Sequence, residues 1–146
     1  MTLKYLILLH TLCACIWVGG HLVLALSVLP KALKKKEPEI VREFESHYER
    51  VGIPALLLQV VTGVMIAVIY MPVSEWFTFQ DRVHTHIGIK LILLFVTFAL
   101  AVHARLFIIP KLSRHNLALL AWHIAAVTAI AVLMLFIGLN FRLAII

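Results

Sequence analysis

Long uninterrupted apolar runs alternate with short polar connections along this chain of 146 residues. Four of the runs are long enough for the roughly 20 residues with which a helix crosses a hydrocarbon core. They cover about residues 3–29, 51–71, 86–109 and 117–141. Because an isolated strand leaves its backbone unpaired in lipid, all four runs are predicted to be helices. The pattern predicts an all-α integral membrane protein whose single domain, residues 1–146, is a four-transmembrane-helix bundle.

The composition agrees with this class. The chain is 63% hydrophobic and its mean hydropathy is +1.04, far from the values of an ordinary soluble domain. The first apolar run continues to Leu29 and Pro30, whereas a signal peptide has an apolar core of only about 7–15 residues. We therefore expect the first run to be a true membrane span.

Two connections between the runs are patterned. Glu37, Pro38 and Glu39 are typical of a helix start. The positions that follow predict an amphipathic helix over about residues 38–50, which runs into the second span, where Pro54 is a candidate kink. The connection over about residues 72–83 carries three aromatic residues, Trp76, Phe77 and Phe79. They are typical of an interfacial anchor, and a lid over an outward-facing site is the alternative interpretation.

The net charge of +6 follows the predicted topology. Basic residues concentrate in the connections after the first and third runs: Lys31, Lys34, Lys35, Lys36, Arg42, Arg50, Lys111 and Arg114. The opposite side carries only Lys4, Arg82 and Arg142. The positive-inside rule then predicts that both termini lie on the outer (periplasmic) side of a bacterial-type inner (cytoplasmic) membrane, with the amphipathic helix on the inner side. We expect these basic residues to interact with the lipid bilayer, and we do not expect the protein to bind nucleic acid.

Six histidines fall at membrane depth, where an ionisable side chain is rare without a partner or a function. They are His10, His21, His84, His86, His103 and His123. Neutral imidazole is a ligand of haem iron and of copper. A helical rise of about 1.5 Å per residue places His10 with His84 and His86 in an outer cluster, and His21 with His103 and His123 in an inner one.

The spacing along the first run suits two stacked ligand sites. His10 and His21 are eleven residues apart, so they share one helix face within about 20° and lie about 16 Å apart. His86 and His103 are about 100° apart around their helix, so His123 is an alternative to His103 at the inner site. Histidines of this kind also act as hydrogen-bonding fasteners between helices, which is the structural alternative.

Two basic residues in the third run are candidates for cofactor binding. Lys90 lies one turn after His86, on the same face, where it suits a haem propionate or an acidic substrate. Arg105 lies near the inner end, where snorkelling to the interface is the alternative explanation.

Several short motifs resemble a known family. The pattern His10…Trp17-Val18-Gly19-Gly20…Leu29-Pro30 resembles the first span of the CopD-like (copper resistance protein D) membrane family, which is related to the HemJ-type protoporphyrinogen oxidase. The length, Tyr48-Glu49-Arg50…Pro54, Gly63 and the segment His86-Ile87-Gly88-Ile89-Lys90-Leu91 resemble the HemJ type. The resemblance implies a helical bundle that binds haem b or copper, with His10 as a ligand and Lys90 at a functional position. The last span has no Asn-Glu-x-Pro-like start, and Gly19-Gly20-His21 is closer to the CopD side.

These observations favour a haem b-binding membrane redox protein with one or two haems, used for transmembrane electron transfer or quinol-type oxidation. His10 with His86 or His84 would ligate the outer haem, and His21 with His103 or His123 the inner one. If the protein is an enzyme, it is a haem-dependent membrane oxidoreductase. We expect the protein to interact with a redox partner or a quinone. It could also form a homo-oligomer or be a subunit of a larger membrane complex.

Three alternatives stay open. A copper-transport or copper-resistance protein of CopD type would use the same histidines, although four methionines and the diverging Cys13 and Cys15 give poor Cu(I) ligation. A HemJ-like porphyrinogen oxidase would also contain haem. A structural or assembly subunit of a respiratory complex would need no cofactor.

Overall fold

The prediction of four helices that are long and apolar enough to span a membrane is confirmed. The computed structural model describes residues 2–143, with side chains over 2–140, so the side chain of Arg142 lies outside the described residues. Four helical rods are long and apolar enough to cross a membrane: Leu3–Lys35, Glu39–Tyr70, Arg82–Lys111 and Leu117–Asn140. We name the α-helices α1 (Leu3–Val23), α2 (Leu29–Lys35), α3 (Glu39–Tyr70), α4 (Arg82–His103) and α5 (Leu117–Leu143). The described residues include no strand.

The first and third rods each contain a π-helical turn followed by proline. Between α1 and α2 this turn is Leu24–Val28, and the N–H of Leu29 donates to the carbonyl of Leu24. After α4 the turn is Ala104–Ile108. Proline has no N–H and its ring crowds the carbonyl one turn earlier. The π turn lets the first rod continue past Pro30 to Lys35, whereas the third rod ends at Lys111, one residue after Pro110.

A tight reversal joins α2 to α3. Lys36 adopts the left-handed conformation with φ 56°, and the N–H of Glu37 donates to the carbonyl of Ala32 over 3.1 Å. From Glu39 onward α3 continues to Tyr70 through Pro54. The predicted amphipathic helix and the second span therefore form one helix of 32 residues.

The helices pack in the order α3, α1, α5, α4. The α1 helix contacts both α3 and α5 extensively, and α4 packs mainly along α5. Within the described residues, α3 and α4 do not form an extensive contact. The buried apolar cluster lies at the α2 end of the bundle, and comprises Leu24, Leu29, Ala32, Val41, Ile108, Leu112, Leu117, Leu120 and Ile124.

A tyrosine fixes the contact between α1 and α3. The ring of Tyr48 fills the space next to Gly20 and Gly52, and a Cβ on either glycine would overlap the ring. Its hydroxyl donates to the carbonyl of Ile16 over 2.9 Å. The two glycines thus leave space for an aromatic side chain to pack between α1 and α3.

The connection before α4 folds over the start of that helix. Asp81 caps α4 by accepting from the backbone N–H of His84 over 3.0 Å. This N–H holds the pKa of the Asp81 carboxyl below its ordinary value. Phe79 has a φ of 53° and packs over Gly88, where a Cβ would lie 2.8 Å from its ring. Phe79 and Phe77 both stay exposed, which suits either predicted role.

Candidate functional site

A cavity of about 290 Å³ lies among α1, α3, α4 and α5. Its walls are mainly apolar. Its polar or amphipathic lining residues are His10, Thr11, Trp17, Gln59, Tyr70, His86, Lys90 and Thr97. The structure thus brings His10, His86 and Lys90, three of the predicted site residues, to one cavity.

The imidazole of His10 is oriented by α3. Its Nδ1 lies 2.9 Å from the carbonyl oxygen of Gln59 and 3.1 Å from Oγ1 of Thr62. The Thr62 hydroxyl donates to the carbonyl of Leu58 over 2.7 Å, so its oxygen can accept. Because a carbonyl only accepts, this network assigns the proton to Nδ1 of His10 and leaves a lone pair on Nε2. A metal-binding imidazole is held in the same way.

His86 is oriented by its own helix. Its Nδ1 lies 2.6 Å from the carbonyl oxygen of Arg82 one turn earlier, so Nδ1 donates and Nε2 is the basic nitrogen. Arg82 in turn donates to the carbonyl of Asn140 on α5 over 2.9 Å. These bonds connect the first turn of α4 to the end of α5 near Asn140.

Lys90 brings a positive charge to the same cavity. A Cβ on Gly138 of α5 would lie 3.0 Å from its Nζ, so this glycine provides the space for the ammonium group. Among the described residues, no carboxylate lies within 4.0 Å of Nζ. An ammonium group in an apolar cavity attracts an anionic group of a ligand.

Two further polar atoms of residues that line this cavity have no hydrogen-bond partner among the described residues. They are Oε1 of Gln59 and Oγ1 of Thr97. Buried polar atoms are usually paired, so an unpaired one calls for an explanation such as a ligand or water. Thr97 was not among the predicted site residues, and a lone threonine in an apolar run gives little signal in the sequence.

His84 lies outside this cavity lining. Its Nε2 lies 3.2 Å from Oε2 of Glu75, and its Nδ1 lies 2.8 Å from Oδ1 of Asp81. The second distance is an ionic contact whose angles do not make a hydrogen bond. Of the two outer candidates beside His10, His86 therefore lines the cavity, and His84 binds the carboxylates of the preceding connection.

The three histidines predicted for the inner cluster occupy two different settings. His21 donates from Nδ1 to the carbonyl of Trp17 over 3.0 Å, and its ring lies 4.2 Å from the ring of Trp17, between centroids. His103 and His123 contact each other, with Nδ1 of His103 3.0 Å from Nε2 of His123 and their rings stacked. His123 donates from Nδ1 to the carbonyl of Leu119, so His103 is the donor between the two rings.

Arg105 forms an ion pair with Glu49 of α3. Its guanidinium contacts both carboxylate oxygens, which links the π turn after α4 to α3. The sequence predicted a cofactor role or snorkelling for Arg105 and gave no sign of Glu49 as its partner. In the part of the chain that the structure describes, no three His, Cys, Asp or Glu side chains converge as a metal site.

No family model, curated protein or solved structure matches this chain. The resemblance to the CopD-like and HemJ-type proteins stays a prediction from the short motifs given above.

Proposed function

We propose that this multi-pass membrane protein binds haem b in the cavity among α1, α3, α4 and α5, where His10 and His86 would hold the iron and Lys90 would pair with a propionate. The observation that carries the proposal is the meeting of these three residues, from α1 and α4, at one apolar cavity. Its membrane and orientation follow from the positive-inside argument: an inner membrane with both termini outside.

The chemistry of the cavity suits a macrocycle with acidic substituents. Apolar walls suit the ring, the Nε2 lone pair of His10 suits iron, and the unpaired ammonium of Lys90 suits a carboxylate. The cavity volume of about 290 Å³ lies just below the roughly 300–1,000 Å³ typical of ligand sites. Binding would therefore need α4 to move outward, which its packing mainly along α5 permits.

Bound haem would supply one-electron redox chemistry, while the protein orients it and excludes water. This supports transmembrane electron transfer or oxidation of a quinol-type donor. The contacts favour one haem, because His103 and His123 bond to each other and His21 bonds within its own helix. Copper handling of CopD type is the second candidate, favoured by the stacked His103–His123 pair, since two imidazoles can share a Cu(II) ion.

The test is spectroscopic. The protein is expressed with added haem, purified in detergent, and its oxidised and dithionite-reduced spectra, pyridine haemochrome and copper content are measured. We expect about one haem per chain and sharp reduced α and β bands. His10→Ala and His86→Ala should lose the haem, whereas His21→Ala and His103→Ala keep it.

His115→Ala is the matched control, because this exposed histidine lies in the connection before α5. About two haems per chain would instead support the two-site electron path. Absence of haem would overturn the proposal. Bound copper that His103→Ala removes would then favour copper handling.

A further inference from the structure

A second cavity, of about 330 Å³, lies where the first rod meets the first turns of α3. Its apolar surface comes from Val28 in the π turn and from Ile40 and Phe44 on α3. All three pack against the buried cluster at the α2 end of the bundle. The groove therefore has an apolar floor that is continuous with the protein core.

Four polar side chains complete the lining. Ser27 and Lys31 come from the first rod, and Glu43 and His47 come from α3. The α3 residues lie on one face of the helix, because Glu43 and His47 are one turn apart. The reversal at Lys36 brings this face against the rod.

The two opposite charges of this groove do not neutralise each other. Within the described residues, Lys31 and Glu43 form no ion pair within 4.0 Å, with each other or with any other residue. His47 donates from Nδ1 to the carbonyl of Glu43 over 2.8 Å, which leaves the Glu43 carboxylate uninvolved in that bond. One cationic and one anionic group thus face one groove with space between them.

The groove lies where the apolar part of the first rod gives way to lysines. The apolar part of the first rod ends at Leu29, and Lys34, Lys35 and Lys36 follow. Lysines at such a position lie at the level of lipid headgroups. A ligand in this groove would have its polar part at Lys31 and Glu43 and its apolar part on Val28 and Phe44.

We propose that this groove binds a zwitterionic phospholipid that carries a primary ammonium group, of the phosphatidylethanolamine type. Its phosphate would accept from Lys31 and Ser27, and its ammonium would donate to the Glu43 carboxylate. An acyl chain would lie on the apolar floor. Phosphatidylglycerol offers Glu43 no cation, and the quaternary ammonium of phosphatidylcholine has no N–H to donate.

The experiment measures lipid affinity directly. Delipidated protein in detergent is titrated with dioleoyl phosphatidylethanolamine, phosphatidylglycerol or phosphatidylcholine, and bound lipid is quantified by native mass spectrometry. We expect phosphatidylethanolamine to bind about tenfold more tightly than the other two, as one charge-assisted hydrogen bond allows. Equal affinities, or tighter phosphatidylglycerol binding, would overturn the proposal.

Substitutions of Glu43 and Lys31 test the ammonium contact and the phosphate contact separately. Glu43→Gln should lower the affinity for phosphatidylethanolamine to that for phosphatidylglycerol, and Lys31→Gln should weaken the binding of both lipids. Glu37→Gln and Lys34→Gln are matched controls, because both residues are exposed and lie outside the groove lining. A control that weakens binding as much as its partner variant would overturn the proposed site.

Inorganic phosphate is the last arm of the test. Millimolar phosphate should not displace the lipid, because the acyl contacts and the ammonium contribute to its binding. Displacement by phosphate alone would show a simple anion site and contradict the lipid proposal. The outcome does not depend on haem content, which is measured separately on the same samples.

Discussion

Gly63 on α3 faces His10 on α1 so closely that a Cβ on this glycine would lie 3.0 Å from Cε1 of the imidazole. The same helix supplies the carbonyl of Gln59 that orients the ring. The α3 helix therefore sets both the position and the tautomer of His10. The proposed haem site depends on this contact as much as on the histidine itself.

A side chain at position 63 should consequently disturb the site. Gly63→Val adds bulk that must displace the His10 ring or separate the two helices, at a cost of about 1–3 kcal/mol. We expect loss of most of the bound haem, measured by pyridine haemochrome. Gly19→Ala is the control, because a Cβ at Gly19 meets no atom within 4 Å. Normal haem content in Gly63→Val would contradict this role.

Lys90 should recognise the propionates. Lys90→Gln removes a charge-assisted hydrogen bond of about 1.5–3 kcal/mol, so haem affinity should fall about tenfold or more. Apoprotein is titrated with haem and with its dimethyl ester. Wild-type protein should prefer free haem, and the variant should lose this preference. Lys4→Gln, an exposed lysine in the first turn of α1, is the control. An unchanged preference in Lys90→Gln would assign the propionates to another group.

Tyr48 should contribute to stability without contacting the haem. Tyr48→Phe removes the bond to the Ile16 carbonyl, and bonds of this kind between membrane helices contribute about 0.6 kcal/mol. Gly20→Ala should cost more, about 1–3 kcal/mol, because its Cβ overlaps the ring. Thermal unfolding in detergent measures both variants. Tyr5→Phe, at an exposed tyrosine, should have no effect. If Tyr48→Phe destabilised the protein more than Gly20→Ala, the proposed packing of the Tyr48 ring against Gly20 would be refuted.

The cap of α4 should depend on pH. The folded-state pKa of Asp81 lies below its ordinary value of 3.8, so its stabilisation is complete above that value and is lost as the pH falls through the folded pKa. Proteolysis of the connection before α4 should therefore increase only at acidic pH. Asp81→Asn, which keeps a capping side chain without the charge, should show no such acid transition. An unchanged pH profile in this variant would assign the transition to another group.

The sequence predicted the helices well and the polar contacts only in part. Apolar runs decide which segments cross the membrane, so the four predicted spans agree with the four rods. Depth alone placed His10 beside both His84 and His86, because a rise per residue does not specify direction around the helix. His86 lines the cavity and His84 does not, because the carboxylates of Glu75 and Asp81 contact the His84 ring outside it.

The remaining contacts needed three-dimensional packing. The pairing of Arg105 with Glu49 joins residues 56 positions apart, and no local pattern indicates it. The slot for Tyr48 needs Gly20 and Gly52 from two different helices. The sequence alone does not show that these two glycines face one aromatic ring. Neither π turn was predicted, since Pro30 and Pro110 read equally well as helix ends.

The two π turns also bear on how this chain is compared with its relatives. A π turn contains an extra residue relative to an α-helical turn, and one residue corresponds to about 100° around the axis. Because each π turn takes up its extra residue, a relative that lacks one residue within Leu24–Val28 or Ala104–Ile108 would keep the same rotation between its histidines and the basic residues that follow. An alignment should therefore place single-residue gaps inside these helices, immediately before Pro30 and Pro110, rather than in the connections.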